Sequence, residues 1–332
     1  MNKLCVTLLL CVSLCAATAF AQGVFSEAPG RSVSVDGRSL YLYCTGEGSP
    51  TVLFEAGLGD GSINFRALQA RIAPFTRACA YDRAGYGLSD AGPEPRDLTA
   101  SVSDLEKVLA ATGEDGPYVL VGHSYGGLIA LSFANHNRGS VRGVVLVDSS
   151  HPEQLTALQS VPEVVTVQDM EIAGLADLVG AAEAGALPAE AVLPSAPSGL
   201  PAALQQAWAE FFVSPKQLKA TVAEYDSLEA SLAQAAARFD LGNTPLIVLS
   251  RGIGLEGQLP AEALDALGLT PDVLARFNAV WNDLQLDLTT VSTSSKRVVA
   301  ERSTHYVYQD QPALVEAAIR ELVRKARTPS PN

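Results

Sequence analysis

Two rhythms of apolar residues alternate along this chain. Short apolar runs bounded by turn residues, at 51–54, 79–82, 118–122, 143–147, 245–249 and 297–300, predict buried strands. Residues 101–111 and 125–136 instead repeat their apolar positions at helical spacing. In the last helical run, 312–325, Val315, Ile319, Leu322 and Val323 make one stripe facing a core. Ahead of the first strand, residues 33–43 alternate apolar and polar side chains about Asp36-Gly37, the pattern of an opening hairpin. Strands alternating with helices predict a mostly parallel sheet with helices on both faces.

The alternation stops between residues 151 and 242, a stretch rich in Ala, Leu, Gln and Glu with breaks near Pro188 and Pro194. Ser214-Pro215-Lys216-Gln217 is a capped helix start within it, so the stretch reads as a helical insertion. Leu204, Trp208, Phe211 and Phe212 are its large apolar residues, expected in the insertion's own core before any ligand contact. A second excursion, 259–292, carries Leu274, Phe277, Trp281, Leu284, Leu288 and Val291 at intervals of three and four, a helix buried against the domain.

With 332 residues, 48% hydrophobic and 18% charged, the chain can bury one large core. Residues 1–21 have the features of a cleaved secretory leader: Lys3 at the start, an apolar stretch that includes Leu8 to Val12, and Ala19-Phe20-Ala21 as a cleavage site. A mature chain beginning near Gln22 would be secreted or periplasmic. Its apolar run is short for a membrane span, so no stable insertion is expected after cleavage. The chain holds 23 basic and 36 acidic residues; losing Lys3 with the leader leaves a formal charge of −14, unfavourable for nucleic-acid partners. Cys5, Cys11 and Cys15 would leave with the leader, and Cys44 and Cys79 would remain in an oxidising compartment. Neither a Cys/His metal spacing nor a G-x-G-x-x-G after a strand occurs, so no metal or cofactor is expected.

The chemistry centres on Gly122-His123-Ser124-Tyr125-Gly126, where an apolar strand runs into a G-x-S-x-G turn and then a helix. Glycines stand where a Cβ would crowd so sharp a turn, which leaves the Ser124 hydroxyl at its tip. Thr51 to Gly59, Tyr81-Asp82-Arg83-Ala84-Gly85-Tyr86-Gly87-Leu88-Ser89-Asp90, and Ser303-Thr304-His305 with Asp310-Gln311-Pro312 are three further blocks. Together and in this order, the four resemble the α/β-hydrolase superfamily from about Arg31 to Val323. The resemblance implies an α/β-hydrolase fold: an eight-stranded, mostly parallel sheet flanked by helices. Its core would span 22–150 and 243–327, with a helical cap at 151–242 after strand 6 and a flexible tail at 328–332.

A serine needs an adjacent base to act as a nucleophile. His305 follows the last predicted strand, where the superfamily keeps that base, and it completes the order Ser, Asp, His. Of the other histidines, His123 orients the turn, His136 closes a helix, and His151 opens the cap, where it could touch substrate. Superfamily members commonly carry the triad acid after the seventh strand, but here that strand ends Leu249-Ser250-Arg251-Gly252, with no carboxylate until Glu256. Asp148, after strand 6, is the favoured acid and Glu256 the alternative, while Asp283 and Asp287 are remote choices. Backbone N–H groups of Tyr125 and Leu58 are the implied oxyanion donors. Arg83 is a candidate partner for Glu55. In the superfamily's strand order the strands bearing Cys44 and Cys79 are neighbours, which makes them a candidate disulfide.

These residues point to a serine hydrolase that cleaves a small-molecule carboxylic ester or lactone through an acyl-enzyme. A serine at the elbow disfavours epoxide and haloalkane hydrolysis, which use a carboxylate nucleophile in this fold. Amidase or iminopeptidase chemistry is one alternative, and a non-catalytic ligand-binding member of the fold is another.

Overall fold

The computed structural model describes residues 30–197, 199–236 and 239–328. The expected leader and residues 329–332 lie outside them. Eight strands form one sheet in the order β1-β2-β4-β3-β5-β6-β7-β8. The hairpin of β1 (Gly30–Val35) and β2 (Arg38–Thr45) turns at Asp36 and Gly37, whose φ values of 50° and 79° suit a tight two-residue connection. β2 also runs antiparallel to β4 (Ala78–Tyr81). All other pairings, through β3 (Thr51–Glu55), β5 (Tyr118–His123), β6 (Val141–Val147), β7 (Leu246–Arg251) and β8 (Ser295–Ala300), are parallel.

Period-2 alternation then sends successive side chains to opposite faces, and each face has its own core. Leu53, Leu120, Val144 and Val248 pack beneath α2 (Leu98–Thr112) and α3 (Tyr125–His136). Val52, Val121, Val145 and Ile247 pack beneath α1 (Arg66–Ile72) and α9 (Pro312–Arg327), the latter through the expected stripe of Val315, Ile319, Leu322 and Val323. Every residue of β5 is buried, as a central parallel strand covered on both faces requires. Cys44 and Cys79 face each other across the β2–β4 register and form a disulfide.

Between β6 and β7 the chain leaves the sheet for α4 (Pro162–Glu183), α5 (Ala202–Phe212), α6 (Pro215–Asp226) and α7 (Leu228–Ala235). α8 (Pro271–Asp287) lies between β7 and β8, and its Val273, Leu274 and Phe277 pack with Val161, Val164 and Val167 of the insertion. Trp208 joins Tyr41 and Ile63 of the main domain in another cluster, with Leu204, Phe211 and Phe212 packed against it. The large apolar residues of α5 therefore dock the insertion onto the domain. No helix among the described residues is long and apolar enough to cross a membrane.

Candidate active site

Ser124 sits between β5 and α3 with φ 52° and ψ −125°, a conformation disfavoured for a residue with a Cβ. The turn is tight enough that a Cβ on Gly122 would lie 2.5 Å from the Gly126 carbonyl oxygen, and one on Gly126 would run into the Glu55 carbonyl. The Ser124 carbonyl accepts from the N–H groups of Gly127 and Ser150, at 2.9 and 3.0 Å, which holds the turn from both sides. A Cβ on Gly57 would stand 3.2 Å from the Ser124 Cβ, so the loop after β3, which carries Leu58, lies against the elbow.

Asp148 follows β6 and is also strained, with φ 41°. It is completely buried, and its carboxylate receives four hydrogen bonds. His305 Nδ1 donates to Oδ2 at 2.6 Å, and Arg251 Nη1 donates to the same oxygen at 2.7 Å. Trp281 Nε1 and the Arg251 backbone N–H donate to Oδ1 at 2.9 and 3.1 Å. Burial opposes ionisation, yet the Arg251 guanidinium and His305 outweigh it and hold the carboxyl well below the usual carboxylate range.

The His305 loop is tied down as closely. Asp310 accepts from the Thr304 N–H and hydroxyl at 2.8 and 2.7 Å, and Gln311 accepts from the Arg302 N–H and the Ser303 hydroxyl. On its other side the His305 carbonyl accepts from His123 Nε2 at 3.1 Å, and the two rings lie 4.6 Å apart. His123, fully buried, is held neutral because burial and the neighbouring His305 depress its pKa. One ring thus fastens the residue before Ser124 to the loop of His305, whose own side chain stays 24% exposed.

Glu256 is turned elsewhere: it accepts from the Gly254 N–H at 2.9 Å and from Asn278. Asp287 pairs with His151 at 3.1 Å, far from the role considered for it. The pairing of Arg83 with Glu55 is corrected. Arg83 donates through Nε and Nη2 to both oxygens of Glu224 on α6, at 2.7 and 2.8 Å. Glu55 is buried with no hydrogen-bond partner for either oxygen among the described residues, and burial pushes its pKa up to about 8. Asp60, beside the same loop, is raised to about 6 by burial and accepts from Asn64 at 2.8 Å.

Sequence reasoning missed Arg251 and Trp281. Arg251 ends β7 in the place where the superfamily's acid commonly stands, and Trp281 lies within the apolar stripe of α8, so no local pattern marks either as a partner of Asp148. A cavity of about 610 Å³ opens between α1 and the cap near Gly199 and Leu204, lined also by Arg66 and Tyr308. Neither Ser124 nor His305 lines it, so its position does not mark the chemistry.

A profile of the alpha/beta hydrolase family matches residues 52–318. An uncharacterized protein of Bacillus subtilis (strain 168), YqjL, is 26% identical over 290 residues, spanning 87% of this chain and 90% of its own. Among solved structures, an epoxide hydrolase from Vigna radiata superposes with a TM-score of 0.68 at 17% identity, over 91% of this chain and 99% of that one. A thermophilic esterase from Thermogutta terrifontis has a TM-score of 0.58 at 20% identity, over 91% and 100%. At such identities the likeness to these two structures shows the fold.

Proposed function

Since the chain belongs to the alpha/beta hydrolase family, we propose that it is a serine hydrolase of small carboxylic esters or lactones, with Ser124, His305 and Asp148 as its triad. The observation that carries this reading is the 2.6 Å hydrogen bond from His305 Nδ1 to a buried, charged Asp148, on the far side of the ring from the nitrogen that must serve the nucleophile. In the reaction Ser124 Oγ bonds to the carbonyl carbon while its proton passes to His305 Nε2. Asp148 stabilises the imidazolium without taking the proton. The carbonyl oxygen, now an oxyanion, is held by the N–H groups of Leu58 and Tyr125. Collapse breaks the bond to the leaving alkoxide, which takes the proton from His305. Water then attacks the acyl carbon as His305 Nε2 takes its proton, and collapse breaks the bond to Ser124 Oγ, which recovers that proton as the carboxylic acid leaves.

Ser124 itself favours acyl transfer over the epoxide chemistry in the name of one structural neighbour, because ring opening in this fold uses a carboxylate at the elbow. The cross-strand disulfide supports an oxidising compartment, in keeping with an exported protein. Labelling with a fluorophosphonate probe tests the reading: wild type reacts at Ser124, and Ser124→Ala abolishes labelling while remaining folded. A folded wild type that fails to label removes the proposal and leaves ligand binding without turnover.

A further inference from the structure

The loop implied to supply an oxyanion donor is gripped from the cap. Three of its carbonyl oxygens, those of residues 56, 57 and 59, accept hydrogen bonds from side chains. Arg83 Nη1 donates to the Ala56 oxygen at 2.7 Å and Nη2 to the Gly57 oxygen at 2.9 Å. Gln217 Nε2 on α6 donates to the Gly59 oxygen at 3.1 Å, and the Gly59 N–H donates to the Tyr86 hydroxyl at 3.3 Å. Both Arg83 and Tyr86 are in turn bound to Glu224 of α6, Tyr86 donating to it at 2.8 Å, and all three side chains are buried. The same helix reaches the 83–89 turn through Lys216, whose ammonium donates to the Gly87 and Ser89 oxygens at 2.7 Å each.

A trans peptide sends its C=O and N–H to opposite sides. With the Gly57 oxygen bound to Arg83, the N–H of Leu58 in the same peptide plane points away from the guanidinium. Among the described residues no backbone or side-chain acceptor takes that N–H. Leu58 thus presents a free donor in a loop where the N–H groups of Gly59, Asp60 and Gly61 are taken by Tyr86, Gly57 and Asn64.

We propose that α6 is a working part of the oxyanion hole: Glu224, through Arg83 and Tyr86, and Gln217 directly, are positioning residues that aim the Leu58 N–H. This rests on the serine-hydrolase reading and adds that the cap sets catalytic competence as well as access. A buried guanidinium has five donors in a fixed fork, so the carboxylate that fixes its tilt fixes what its other nitrogens hold. An error of about 1 Å at such a donor is worth roughly 100-fold in rate.

Full-length Glu224→Gln, Tyr86→Phe and Gln217→Met test this against wild type, with Glu183→Gln as control, since Glu183 makes an exposed cap ion pair with Lys219. Each is assayed for p-nitrophenyl butyrate hydrolysis, for inhibition by a trifluoromethyl ketone and its methyl ketone counterpart, for thermal unfolding, and for fluorophosphonate-titratable sites. Only the fluorinated ketone adds Ser124 and presents an oxyanion. Expected is a fall in kcat per titrated site of about 10- to 100-fold in Glu224→Gln and less in the other two, with KM within about threefold. Affinity for the trifluoromethyl ketone falls in step while the methyl ketone and Glu183→Gln are unaffected. Folded variants whose kcat per titrated site equals wild type overturn the positioning role and leave the hydrolase reading intact. Because Tyr86→Phe and Gln217→Met remove no buried charge, they decide the matter if Glu224→Gln does not fold. A wild type that fails to label at Ser124 overturns both.

Discussion

The ends of β6 and β3 each present a completely buried carboxyl group, and their surroundings push the two pKa values in opposite directions. Asp148, after β6, is surrounded by Arg251, Trp281, His305 and a backbone N–H, and is held charged. Glu55, closing β3, has no hydrogen-bond donor for either oxygen among the described residues, and the nearby cation Arg83 is already committed to Glu224. Burial is common to both, so burial does not decide which ionises. The number of donors aimed at each group does.

Replacing the charged member should have the largest consequence. Asp148→Asn is expected to lower kcat/KM by about 10⁴-fold with the fold retained, because an amide cannot hold the imidazole in the needed tautomer or balance its charge. A pre-steady-state acylation rate within tenfold of wild type would show that the charge at β6 is not part of the chemistry.

Removing the donor is the next strongest intervention. Arg251→Met leaves Asp148 buried beside His305 without its guanidinium, and breaking such a pair costs about 3–5 kcal/mol, read as a lowered urea midpoint. Asp148 also has a depressed pKa, so its contribution is present above its unfolded value of 3.8 and is lost as pH falls through the lower folded value. The acid limb of stability should therefore flatten in Arg251→Met. An unchanged midpoint and acid limb would count against Arg251 as the source of the charge.

Glu55 carries the opposite sign. Its pKa rises from 4.5 unfolded to about 8 folded, so the protonated form's advantage is complete below about pH 4.5 and is lost as pH rises through about 8. Glu55→Gln should gain stability relative to wild type between pH 5 and pH 9, by an amount on the order of a few kcal/mol. Denaturant titrations at the two pH values measure the difference, and parallel behaviour of variant and wild type would mean Glu55 is ionised or already paired. The smallest effect belongs to Glu256→Gln, at most about twofold in kcat/KM. A loss comparable to that of Asp148→Asn would reverse the assignment of the acid.

Much of this architecture was legible beforehand. Each of the six expected parallel strands is present: four run one or two residues longer at one end, while β4 starts and ends one residue earlier and β7 starts one residue later and ends two later. The helix at Tyr125–His136 was also expected with those ends, and the final one began at Pro312 as expected and ran on to Arg327. The elbow was legible because its glycines, strand and helix are contiguous. The choice between Asp148 and Glu256 was not. Asp148 meets His305 across 157 residues and Arg251 across 103, and nothing near either end marks the encounter. Arg83 misled for the same reason, since Glu55 is 28 positions away and plausible, while Glu224 is 141 away on a helix whose docking no local pattern reveals.

Periodicity and turn chemistry are written in neighbouring residues, so the sequence by itself determined the strands, the helices, the elbow serine, the order of the motifs and the two cysteines able to pair. Tertiary structure alone decided which acid faces His305, which buried carboxyl is left without a donor, and which helix of the cap holds the loop of Ala56 to Gly59. Those outcomes depend on donors and charges from distant segments converging to hydrogen-bonding distance in a desolvated space. There the electrostatic difference between one partner and none is large, and the sequence carries no spacing that reports it.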